Sequence, residues 1–134
     1  LVKKRALAFA LNSATQWSGM AELKTDFWVS ALIRRAQIAG AFAGITRKGD
    51  PDGGAVLVKV ATLDRRARLY TSAFRGEGER VWVDLSSGSL GDDEPAVDTY
   101  ARKRADDDPD LWIVEIEDKA GRHFLLEPVD SAAR

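Results

Sequence analysis

Three short runs in the middle of the chain alternate residue by residue, and this restricts the fold more than any other feature. Val56, Val58 and Val60 alternate with Leu57 and Lys59. Arg68 and Tyr70 alternate with Ala67, Leu69 and Thr71. Val81, Val83 and Leu85 alternate with Arg80, Trp82 and Asp84. A period of two is the mark of a strand with unlike faces. The aliphatic set is expected to look inward, leaving a second face that mixes cations with aromatics.

The flanking residues supply further elements. Residues 41–46 and 111–117 read as strands, residues 122–126 as a closing strand, and the chain beyond Glu127 as a tail. Phe27, Val29 and Ala31 alternate with Trp28 and Ser30, and the spacing then turns helical at Leu32, Ala36 and Ala39. Residues 26–32 thus read as a strand running into a helix over about 33–39, with Gly40 as its C-cap. The glycines, Pro51 and aspartates of residues 47–54 predict the loop of a β-hairpin joining 41–46 to 55–61. Asp92 or Asp93, with Pro95 in the first turn, predicts a helix over about 95–105. The fold expected is α+β: a curved, mostly antiparallel sheet of five to six strands with two short helices, with closure toward a half-barrel left open.

A chain of 134 residues suits one domain. Met20 is the only methionine, and Met20-Ala21-Glu22-Leu23-Lys24 reads like a natural start. Residues 1–19 are therefore expected to be an N-terminal extension, helical over 2–14 if ordered, and residues 20–134 the globular domain. No stretch approaches the roughly 20 apolar residues that span a bilayer, so no membrane partner is expected. The absence of cysteine removes thiolate chemistry and sulfur-based zinc sites and fits a cytoplasmic location. One histidine, His123, precludes a histidine-rich metal centre. No cofactor, metal or catalytic residue is expected.

Several pieces in fixed order carry a family resemblance. They are Trp28-Val29 with Arg34-Arg35 and Gly40; Arg47-Lys48-Gly49-Asp50 with Gly54-Ala55-Val56; Gly78-Glu79-Arg80-Val81-Trp82; and Asp108-Pro109-Asp110-Leu111-Trp112 with Glu115. Together, over about residues 20–126, the chain resembles the bacterial family known as domain of unknown function fourteen ninety-one. The resemblance implies no activity, cofactor or partner.

The residues themselves offer three functions. The first is a non-enzymatic module that binds another protein through Lys59, Arg68, Tyr70, Arg80 and Trp82 on one sheet face, or through Arg47 and Lys48 beside the 47–54 loop. The second is single-stranded nucleic acid stacked on the same face; a formal net charge of −1 argues against it. The third is an enzyme built on carboxylates such as Glu115, Glu117 or Asp110. Asp108 or Asp110 is expected to pair with Arg34, Arg35 or Arg102. An exposed sheet edge would invite a second copy, which makes a homodimer a further expectation.

Overall fold

The computed structural model describes residues 24–76 and 78–132. The expected extension at 1–19 and its helix lie outside them. Helix α1, Thr25–Ile38, opens the described chain. Its buried residues are Thr25, Val29, Leu32 and Ala36, which follow the helical period. The expected strand over 26–32 is therefore helix throughout: in a helix, residues two apart point to opposite sides, so Val29 is buried while Phe27 stands in solvent. Gly40 ends the helix in the left-handed region with φ of 94°. The Ala41 N–H donates to the Ala36 carbonyl and the Gly40 N–H to the Gln37 carbonyl, both at 3.0 Å, which completes a Schellman motif.

The strands are β1 (Phe42–Arg47), β2 (Val56–Ala61), β3 (Ala67–Arg75), β4 (Glu79–Asp84), β5 (Trp112–Glu117) and β6 (Val129–Ser131). Helix α2, Glu94–Asp107, lies between β4 and β5 in sequence. Its N-cap is Asp93, whose carboxylate accepts the Ala96 N–H at 3.3 Å. The strands form one open sheet in the order β1-β5-β2-β3-β4-β6. Three pairings are antiparallel; β2 with β5 and β4 with β6 are parallel. The α+β expectation holds.

The two helices cover opposite faces. Val29, Leu32 and Ala36 of α1 pack with Val56, Val58, Val60, Trp82, Trp112, Val114 and Ile116. Val97 and Ala101 of α2 pack with Leu57, Ala67, Leu69 and Leu111. This explains why all six residues of β2 are buried.

Two expectations about the sheet are corrected. Residues 41–46 and 55–61 form no hairpin, because β5 enters between β1 and β2. The intervening loop instead folds against the start of β5. The Asp50 N–H donates to the Asp110 carbonyl at 3.1 Å, the Trp112 N–H to the Ala55 carbonyl at 2.9 Å, and the Trp112 indole to the Asp50 carbonyl at 2.8 Å. Glycine permits the approach: a Cβ on Gly49 or Gly54 would overlap the Asp110 carbonyl oxygen, and Gly54 also has φ of 93°. The second correction concerns the C-terminal part. Residues 122–126 are not a strand; Phe124 has φ of 62°, and its carbonyl accepts Nε and Nη2 of Arg35 at 3.2 and 2.9 Å. The segment read as a tail holds β6, in parallel register with Trp82–Asp84.

Gly54→Ala is expected to lower the free energy of unfolding by about 2 kcal/mol, through overlap and a disfavoured φ. Gly44→Ala, where a Cβ meets nothing within 4 Å, should stay within about 1 kcal/mol of the wild type. Urea unfolding compares the two, and equal losses would contradict this account of the loop.

Candidate functional site

Four of the five residues expected on the basic and aromatic face share one side of the sheet, and Lys59 does not. Lys59 stands opposite Leu69, whereas Val58 stands opposite Tyr70 and Val60 opposite Arg68. The polar set of β3 thus shares a face with the valines of β2, and Lys59 points to the other side. The physical reason is parity: alternation within a strand leaves its match to the neighbour open, and a shift of one residue reverses the face. Arg80 and Trp82 do share the α1 face with Arg68 and Tyr70, since Tyr70 faces Asp84 and Ser72 faces Trp82.

That face is occupied by the protein itself. Trp82 is 0% exposed and stacks on Trp28 of α1, with ring centroids 5.2 Å apart. Both indole N–H groups donate to Glu127, Trp82 at 3.0 Å and Trp28 at 3.4 Å. The Arg80 guanidinium lies 5.4 Å from the Trp28 ring centroid. Arg68 pairs with Asp84, which also accepts the Ser86 hydroxyl and its N–H. Burial raises the Tyr70 hydroxyl pKa, and the ring meets His123 edge-on at 5.1 Å. Burial also lowers the His123 pKa, against the opposing pull of Asp84. Its Nδ1 accepts the Leu125 N–H at 2.9 Å.

The loop cations separate too. Arg47 Nη1 donates to the carbonyls of Leu111 at 2.6 Å and Pro109 at 3.4 Å, while Lys48 is exposed. The expected arginine pairing of Asp108 and Asp110 is absent among the described residues. The Asp108 carboxylate instead accepts the Asp110 N–H at 3.0 Å, and Asp110 contributes its carbonyl to the loop.

On the α2 face Lys59 forms the centre of an ion cluster. Its ammonium lies 2.7 Å from Asp98, 2.8 Å from Glu94 and 3.4 Å from Glu115, with the side chain 9% exposed. Burial alone would lower the Lys59 pKa, but the hydrogen bonds it donates to Asp98 and Glu94 and the charge of Glu115 outweigh it and drive the value well above the ordinary 10.5. The cluster ties α2 to β2 and β5 and carries two negative charges beyond what Lys59 neutralises. Beside it runs an open groove of about 430 Å³, lined by Thr46 and Arg47 of β1, Asp98 and Arg102 of α2, and Ile113 and Glu115 of β5.

The groove leads to the edge of the sheet. Among the described residues no strand lies beyond β1. Residues 42–46 of that edge, Phe-Ala-Gly-Ile-Thr, carry no charge. Phe42 is 66% exposed on the α2 face, opposite Glu117, and Ile45 is 45% exposed on the α1 face, opposite Val114. Gly44 lies opposite Glu115. Sequence reasoning placed this strand but overlooked its edge; the available signal was the run of residues 41–46, which has neither charge nor proline. It also overlooked Glu94 and Asp98, which lie one turn apart on α2.

Residues 23–126 match the model of a family described as protein of unknown function, DUF1491. The chain belongs to the DUF1491 family. It is similar to the crystal structure of a DUF1491 family protein from Caulobacter crescentus CB15, with 54% identity, a TM-score of 0.73, and coverage of 81% of this chain and 99% of that one. An NMR structure of a DUF1491 family protein from the same organism shows 53% identity and a TM-score of 0.72, over 81% of this chain and 97% of that one. The solution structure of protein Atu0922 from A. tumefaciens shows 33% identity and a TM-score of 0.60, over 72% and 86%. Comparison with curated proteins finds no match. No helix among the described residues of this DUF1491 protein is long and apolar enough to cross a membrane.

Lys59→Met keeps the buried aliphatic stem but leaves three carboxylates facing one another. It should cost about 2 kcal/mol, below the usual loss for a fully buried pair because the carboxylates keep contact with water. A lysine whose folded pKa is raised stabilises fully below its unfolded value and less as pH rises through the folded one. The gap between wild type and variant should therefore hold from neutral pH up to the ordinary value of 10.5 and narrow above it. Chemical denaturation across alkaline pH tests this; a gap already closing below about pH 9 would contradict it.

Proposed function

We propose that this DUF1491 protein is a binding module that takes up an extended segment of another protein as an added strand along β1. The observation that carries the reading is the uncharged edge at residues 42–46. An open edge presents N–H and C=O groups, which proteins normally shield with charge, proline or brevity; at β1 the Ala43 carbonyl accepts the Gln37 side-chain amide at 3.4 Å, a contact a guest strand would have to displace. The opposite edge is shielded: β6 has three residues, and Asp130 within it pairs with Arg75 at 3.3 Å. At β1 the main chain would provide affinity, and the exposed Phe42 and Ile45 would contact alternate side chains of the guest on the two faces.

The other titratable groups support a binding role over a catalytic one. Glu94, Asp98 and Glu115 are held by one ammonium, and His123 Nδ1 is held by a backbone N–H. The sealed Trp82 offers no stacking platform to a nucleic acid.

The test is selection of short extended peptides from a random library on the wild-type protein, followed by hydrogen exchange. Selected peptides should slow exchange at the outward-facing amides of Ala43 and Ile45. Gly44→Lys should lower their affinity at least about tenfold by placing a charge on the edge; a Cβ at Gly44 meets nothing within 4 Å, so the fold tolerates the change. Peptides that bind both proteins equally and protect other amides would overturn the reading.

A further inference from the structure

We infer that the guest strand alternates apolar with basic residues, its cations facing the α2 side of the sheet. The inference rests on the β1 edge reading and deepens it. Gly44, Phe42, Glu115 and Glu117 share the α2 face, because Gly44 stands opposite Glu115 and Phe42 opposite Glu117. Glu115 reaches one ammonium that also serves Glu94 and Asp98. Glu117 is half-buried and has no ion-pair partner among the described residues. Even counting Arg102, which lines the groove beside Asp98 and Glu115, the carboxylates of Glu94, Asp98, Glu115 and Glu117 outnumber the cations on this side of the sheet, and Glu117 places the excess at the Phe42 end of the edge. At the other end, two backbone carbonyls already hold Arg47.

Geometry gives a guest cation a path to this charge. A strand added to β1 would run roughly 10 Å from β5, two strand spacings away. Gly44 has no side chain to block the interval, and a Cβ placed there would touch nothing within 4 Å. A lysine or arginine opposite or diagonal to Gly44 can cross it, lay its methylenes beside the Phe42 ring and bring its charge to Glu117 and Glu115. An acidic guest would face repulsion there. On the other side, Ala43 is buried and Ile45 half-exposed above Val114, so residues of the guest facing α1 meet an apolar surface. Extended, alternately apolar and cationic, is the pattern that fits both faces.

The test uses the full chain and three end-blocked peptides of about seven residues, alternating valine with lysine, glutamine or glutamate. The lysine peptide should bind about tenfold more tightly than the glutamine peptide, and the glutamate peptide more weakly still. The preference should shrink as salt rises. Glu117→Gln should cut the lysine preference about threefold and leave the glutamine peptide unchanged. Equal binding of all three, with the amides of Ala43 and Ile45 protected, would overturn the charge inference and leave the edge reading standing. Absence of protection at those amides with every peptide would overturn both. Light scattering showing a dimer, with those amides protected before any peptide is added, would assign the edge to a second copy and also overturn the inference.

Discussion

The docking of the 48–55 loop onto the start of β5 decides the rest of the architecture. Asp110 and Trp112 receive this loop through their carbonyl, N–H and indole groups, and Gly49 and Gly54 remove the side chains that would prevent it. Once the loop is held there, β5 lies between β1 and β2. The parallel pairing of β5 with β2 follows, and so does the position of β1 at the rim. A simple hairpin would have buried one edge of β1 against β2. The insertion pairs β1 with β5 and leaves its outer edge without a strand.

The central strand shows how a sheet accepts a charge between two helices. β2 is covered on both sides, so Leu57 and the valines need no polar partner. Lys59 does. A buried ammonium without carboxylates would be strongly unfavourable, and α2 supplies two of them one turn apart while β5 supplies the third. The helix is fixed in place partly by that requirement and partly at its start, where the Glu94 N–H donates to the Arg65 carbonyl at 3.0 Å and the Asp92 carbonyl accepts the Ala67 N–H at 2.9 Å. The cluster therefore shapes the groove beside it and leaves the adjoining sheet face acidic.

How far the chain was legible depended on how local each signal was. The start of α2 was readable because Asp93 and Pro95 act within one turn. The helical C-cap at Gly40 was readable for the same reason. The beginning of α1 was misread because the competing strand pattern covered only five residues. β6 was missed because three residues hold too little pattern, and their partner Trp82–Asp84 lies far back in the sequence. Lys59 was misplaced through a relation between strands: Lys59, Arg68 and Trp82 each alternate correctly, yet only the pairing of Val60 with Arg68 shows that Lys59 points away from the other four. The edge of β1 was hidden because the strand itself is readable, whereas its exposure depends on where β5 enters.

The residues that carry the family resemblance sort onto architecture. Trp28, Arg80 and Trp82 build the aromatic stack, Arg47, Gly49, Gly54, Asp110 and Trp112 lock the loop, and Glu115 joins the Lys59 cluster. Phe42, Gly44 and Ile45 are not among them. An edge read through its main chain needs only that the strand be extended, unpaired and free of charge. On the proposed reading, the architecture that identifies the family would serve by holding β1 at the rim, and the side chains along it would tune which segment is accepted.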